Sequence, residues 1–426
     1  MIGDFKRFDM ARRPVSQKRY LTPVTWAISF PIKWMKHSKI FKSDMDGIKP
    51  PYLLLCNHNA FIDFMIMTAA IFPRRASYVV AIDGFIGKEW LLRKVGGIGI
   101  RKFTSSVQLV KNMMHAKENG QIVVLFPEAR YSLCGTNAVL PNSIGKFIRF
   151  LDIPVVTLIM HGHHISNPFW GKKRRISDLR AEMRPLFTRA QTQTLSVDEM
   201  NERVREAFVY DDFKWQRENG IEIKSRDRAA GLHKVLYQCP HCGAEYKMTS
   251  ALDEIWCSEC GKRWVMTTLG ELYAKNPETD GETEFSHVPD WYEWERENVR
   301  REVEDGTYSL EVSARVDSLP NARGFVDLGH ATLTHNMDGF TLSGVYDGEV
   351  YTERWKPLAL YSCHIEYNYR KQGGDCVDLN TLNDTLYIYP EGQNVSVTKI
   401  ALATEELYNL ATRRLQEEKN AAEAAN

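Results

Sequence analysis

Between residues 50 and 165, short apolar runs alternate with amphipathic stretches, a pattern that few architectures accommodate. "PYLLLCN", "ASYVVAI", "QIVVLFPEAR" and "IPVVTLIMHG" read as strands, the last two buried. "AFIDFMIMTAAIF", "GKEWLLRKVG", "SSVQLVKNMMHAKENG" and "SIGKFIRFLD" read as helices, and Gly120 is placed to end the third. Strands alternating with helices predict an α/β layer with a largely parallel sheet. "LSVDEMNERVREAF" opens on a capping box, Ser196 with Glu199, and closes a unit spanning residues 49–215.

At 426 residues the chain exceeds one ordinary core, and its character changes on either side of that unit. Residues 1–42 hold ten Lys/Arg against Asp4 and Asp9. Within them "YLTPVTWAISFPI" is uncharged for only 13 residues and contains two prolines. A membrane span needs ~20 apolar residues. With Trp26, Phe30 and Trp34 beside Lys33, Lys36 and Lys39, residues 1–48 are expected to lie on a membrane surface. With no secretion signal recognised, the protein is expected to be peripheral, on the cytoplasmic side of the membrane.

Residues 289–306 read as a polar linker helix with Pro289 near its start and Gly306 after its end. From 307 to 418 the runs are short and alternating, among them "TYSLEVSARV", "GFTLSGVY", "GEVYTERW", "TLYIYP" and "VSVTKIAL". Turn signals such as "MDG", "YDG" and "PEGQ" separate them, and the amphipathic "TEELYNLATRRLQEE" follows. About seven antiparallel strands closed by one helix resemble a pleckstrin-homology-like barrel. No cluster of Lys and Arg marks an inositol-phosphate pocket there.

The run "LLLCNHNAFIDFMIM" contains the groups least at home in apolar surroundings, His58 and Asp63. Five residues apart on one helix, they would point roughly 140° apart. They meet only if His58 precedes the helix and Asp63 sits in its first turn. Asp63 would then fix the imidazole tautomer and leave the other nitrogen free to take a proton. A core histidine beside a capping aspartate is the plainer alternative.

The pair has company. Asn57–Asp63 as N-H-x-x-x-x-D is followed by "GGIGIRK", "FPEARYS" and "IPVV", in that order. This resembles the glycerolipid acyltransferase family, which includes the 1-acylglycerol-3-phosphate acyltransferases, over about residues 20–210. The resemblance implies that His58 is the general base for an acceptor hydroxyl and that Asp63 orients it. It implies that Glu128 binds the acceptor and that Gly97, Arg101, Lys102 and Arg130 face phosphate groups. The implied donor is acyl-CoA or an acyl-carrier protein, and the acceptor a glycerol phosphate or lysophospholipid. In the third block Ala129 and Tyr131 replace the family glycine and arginine, and an arginine, Arg130, stands one place early. This departure supports a rival expectation, a non-catalytic adaptor on the same fold. "HGHH" (161–164) is expected to form an ordinary loop or rim.

Cys239, Cys242, Cys257 and Cys260 form C-x₂-C-x₁₄-C-x₂-C within residues 233–270, each pair followed by glycine. The spacing resembles a zinc ribbon and suits one structural zinc ion with no open position. Acidic Glu245, Asp253, Glu254 and Glu259 offset Lys247, Lys262 and Arg263, so nucleic acid is not an expected partner.

Overall fold

The computed structural model describes residues 2–171, 176, 178–371 and 374–424. The α/β unit is built on β1 (Lys39–Lys42), β2 (Leu53–Cys56), β3 (Ala76–Ala81), β4 (Gly97–Ile100), β5 (Ile122–Leu125), β6 (Val155–His161) and β7 (Arg180–Phe187). Their order is β1-β7-β6-β2-β5-β3-β4. The run from β6 to β4 is parallel, whereas β7 is antiparallel to β6 and carries β1 parallel to itself. The sheet is thus parallel in the middle and mixed at one edge. Leu53 and Leu55 enter the core on one face with Ile98 and Ile148, while Leu54 and Cys56 enter the other with Ile66 and Met160. Burial on both faces is why β2 reads as a continuous apolar run.

Residues 1–48 are not a separate segment. β1 pairs with β7 inside the sheet. The arm before residue 18 straps the C-terminal sheet to the α/β unit: Phe8 N–H donates to Pro320 O (2.8 Å), and Arg7 pairs with Asp384 (3.0 Å). Arg93 and Asn112 of the α/β unit bond the carbonyls of Asp9 and Met10. The helix Thr22–Met35 and its approach turn an apolar face outward, with Tyr20, Val24, Ile28 (52% exposed), Trp34 (64%) and Met35 on it. No helix among the described residues is long and apolar enough to cross a membrane.

Four antiparallel strands follow, β8 (Met248–Ala251), β9 (Glu254–Cys257), β10 (Arg263–Met266) and β11 (Leu272–Ala274), in the order β11-β10-β9-β8. The helix Val288–Glu304 packs on them through Trp291, whose ring meets Trp264 at 5.0 Å and whose Nε1 donates to Gln238 O (3.0 Å).

The C-terminal region is one antiparallel sheet of β12 (Leu310–Asn321), β13 (Gly324–Asn336), β14 (Gly339–Tyr346), β15 (Glu349–Trp355), β16 (His364–Glu366), β17 (Cys376–Asn380) and β18 (Thr385–Pro390). Its order is β15-β14-β13-β12-β18-β17-β16, and the helix Val397–Ala424 lies against it. "VSVTKIAL" is the start of that helix rather than a strand. Val397, Ile400, Ala401 and Leu402 are all buried at helical spacing, and that burial outweighs the strand preference of the β-branched residues.

Candidate active site

β2 ends at Cys56, and the chain turns there before the helix Ile62–Ile71. Asn57 stitches this turn to β6 by behaving as a backbone unit. Its Nδ2 donates to Met160 O (2.9 Å), and its Oδ1 accepts from Met160 N–H (2.8 Å). His58 follows, before the helix, and Asp63 lies in the first helical turn. His58 Nδ1 is 3.0 Å from Asp63 Oδ2, which also accepts the N–H groups of Asn59 (2.6 Å) and Ala60 (2.9 Å).

The other oxygen, Oδ1, is 2.6 Å from Nδ1 of His163. Burial alone would raise the Asp63 carboxyl; the hydrogen bonds from His163 and His58 outweigh it and hold the group at about 2. An ionised carboxylate only accepts, so both imidazoles donate from Nδ1. In a neutral imidazole held this way, the lone pair of His58 is at Nε2. The His58 side chain is 24% exposed, whereas Asp63 is fully buried. Phe126 and Tyr131 flank the His58 ring, each with centroids at 4.4 Å. Phe169 joins Tyr131 (5.4 Å) to Tyr367 of the C-terminal region (5.3 Å).

Two further buried carboxyls clamp the loops on either side. Glu128 accepts His58 N–H (2.6 Å) and Ala138 N–H (2.9 Å), and Tyr210 bonds Asn59 Oδ1 (2.8 Å) beside it. Asp212 accepts the N–H groups of Gly162 and His164 (2.9 Å each). Burial pushes both carboxyls up to about 8, against the opposite pull of two N–H donors apiece. Glu128 thus holds the His58 loop in place, both of its oxygens already accepting backbone N–H groups.

The residues expected to face phosphate are engaged elsewhere. Arg101 is buried and bonds Leu319 O (3.2 Å), Pro320 O (3.0 Å), Thr385 Oγ1 (2.9 Å) and Asn383 O (2.5 Å), all in the C-terminal region. Lys102 pairs with Asp378 at 3.6 Å. Arg130 donates to Glu405 at 2.6 Å in the C-terminal helix. Gly97 opens β4 where an added Cβ would lie 2.8 Å from Leu92 O, so close packing accounts for it. These four do not gather at His58. The sequence could not show this for the three basic residues, because their partners lie more than 200 residues away in the chain. His163, Asp212 and Tyr210 were missed for a similar reason. "HGHH" was the one visible signal, and it is not an ordinary loop: His163 and His164 are fully buried.

Cys239, Cys242, Cys257 and Cys260 converge, their sulfurs all within 4.8 Å of one another. Cys239–Cys260 and Cys242–Cys257 are each 3.8 Å apart. That separation is about the edge of a tetrahedron built on ~2.3 Å metal–sulfur bonds. Gly243 and Gly261 take φ of 76° and 81°, which lets the chain fold back so that their N–H groups bond the carbonyls of Cys239 and Cys257. Donor set and geometry fit a closed four-thiolate metal site.

No curated protein matches the chain. Among solved structures it is similar to the 1-acyl-sn-glycerophosphate (LPA) acyltransferase PlsC from Thermotoga maritima. The TM-score is 0.38 at 14% identity, covering 45% of this chain and 77% of that one. Residues 36–161 match the family model described as Acyltransferase, a segment that carries His58, Asp63 and Glu128.

Proposed function

We propose that the protein transfers an acyl group from an acyl thioester, acyl-CoA or acyl-carrier protein, to a hydroxyl of a glycerol-phosphate or lysophospholipid acceptor. One observation carries this reading: a partly exposed imidazole held 3.0 Å from a buried, ionised aspartate at the carboxyl end of a parallel strand. His58 Nε2 takes the acceptor hydroxyl proton as the oxygen attacks the thioester carbonyl. The carbon–sulfur bond then breaks, and the departing thiolate receives that proton from His58. A base so placed contributes about 10²–10⁴ in rate. Transfer should therefore fall to background in His58→Ala across a panel of acceptors; equal turnover by both proteins would sink the proposal.

The adaptor reading draws support from Arg101, Lys102 and Arg130, which serve the C-terminal region instead of a ligand. The same assay separates the two, since an adaptor yields no His58-dependent product with any acceptor.

The outward face of Thr22–Met35 supports peripheral binding to the cytoplasmic side of a membrane. Ile28→Glu should release the protein from anionic vesicles in flotation; unchanged flotation would rule that face out. We read the C-terminal sheet and helix as pleckstrin-homology-like, from seven strands and one covering helix. Zinc is the ion we assign to Cys239, Cys242, Cys257 and Cys260, where it would contribute folding energy only. Chelation should perturb Trp264 and Trp291 fluorescence and release about one zinc per chain; metal analysis finding none would overturn the assignment.

A further inference from the structure

Asp63 serves two histidines, and the mechanism uses only one. His163 stands on a four-residue helical turn after β6, buried, with Nδ1 2.6 Å from Asp63 Oδ1 and with Nε2 meeting no partner among the described residues. Its backbone is fixed on both sides by Asp212, through Gly162 N–H and His164 N–H. The ring is thus held from behind, and its one hydrogen bond points at the carboxylate that orients the base.

We propose that His163 is a positioning residue: by donating from Nδ1 to Oδ1, it fixes the Asp63 carboxylate so that Oδ2 meets His58 Nδ1. The inference rests on the acyl-transfer reading of His58. The geometry leaves little choice of tautomer. A neutral His163 that donates from Nδ1 leaves a bare lone pair at Nε2, whereas a protonated one would bury an N–H with no acceptor. Sharing the carboxylate between two donors also moderates its hold on His58. Without His163, the single negative charge would favour protonated His58 more strongly, and the base would titrate at higher pH.

Other titratable groups face this centre and stay constant in the comparison. They are Cys56, Glu128, Tyr131, Tyr210 and Asp212 around Asp63, and His161 beside His163. Burial lowers His161 to about 4 and raises the others, so Asp63 is the group held ionised among them.

Two amide substitutions separate positioning from packing. In His163→Asn the side-chain NH₂ falls near the Nδ1 position, and in His163→Gln it falls near Nε2. Both are read by the pH dependence of kcat and, independently of turnover, by NMR titration of labelled His58 in the full chain. His163→Asn should keep kcat within about threefold and leave the acid limb in place. His163→Gln should lower kcat about tenfold with KM little changed, and should move the acid limb and the His58 titration to higher pH together.

Equal behaviour of the two variants, or a His58 titration unmoved in His163→Gln, overturns the proposal and leaves His163 a packing residue. A shifted titration in a protein with no His58-dependent turnover keeps the coupling but removes its catalytic meaning, which overturns the acyl-transfer reading instead. Should His163→Gln fail to fold, His163→Leu, which supplies no donor, takes its place with the same expected shift.

Discussion

Two buried carboxylates organise this molecule, and they differ in what their partners can do. Asp63 is held by two imidazoles and two backbone amides. Glu405, in the C-terminal helix, is held by Arg130 and Ser362 on one oxygen and by Arg296 on the other, each at 2.6 Å. Burial raises each carboxyl, and in both cases the nitrogen donors outweigh it and bring the group below its ordinary value. An imidazole exchanges its proton near neutral pH, whereas a guanidinium does not. His58 is also reachable from solvent, while Arg130 and Arg296 are nearly sealed. Similar electrostatics therefore gives a candidate for chemistry at one place and a structural clamp at the other.

That contrast can be broken most sharply by removing one member from each. His58→Ala should lose about 10²–10⁴ of the activity while its thermal midpoint stays close to the parent. Glu405→Ala should do the reverse. Arg130 would lose its carboxylate partner while buried, whereas Arg296 keeps Glu293 and Glu406; the loss should cost about 3–5 kcal/mol in denaturant unfolding, with turnover per folded molecule retained. Loss of activity in the folded Glu405 variant would mean that the clamp also shapes the site.

Acid titration gives a smaller effect with a definite sign. The folded Asp63 pKa, about 2, lies below its ordinary 3.8. Its contribution is thus complete above the unfolded value and disappears as pH falls toward the folded one. The shift corresponds to about 2 kcal/mol. The stability difference between the parent and Asp63→Asn should narrow by about that amount as pH falls below 4. A difference that does not change with pH would show that the carboxylate charge is not what the two histidines stabilise.

What could be read in advance followed from local rules. β2, β3, β5 and β6 were visible because buried parallel strands need continuous apolar runs, whereas the short, glycine-bearing β4 was not read as a strand. The capping box at Ser196 and Glu199 forms, with both reciprocal bonds in place. The meeting of His58 and Asp63 could be argued from helical geometry across five residues. The error over Arg101, Lys102 and Arg130 has the opposite origin. A basic residue beside a glycine-rich strand suits a phosphate and a distant carbonyl equally well. Only the docked C-terminal sheet, with Leu319 O, Thr385 Oγ1, Asp378 and Glu405 in reach, decides between them.

The sequence by itself determined the α/β layer, the four-cysteine knuckles and the histidine–aspartate pair, because each depends on residues close in the chain whose spacing sets their geometry. The tertiary structure alone decided that His163 completes the Asp63 centre and that the basic residues bind the chain's own C-terminal region. The physical reason is reach. A hydrogen bond extends about 3 Å whatever the separation in sequence, so a donor's partner is settled only when the fold has placed every acceptor around it.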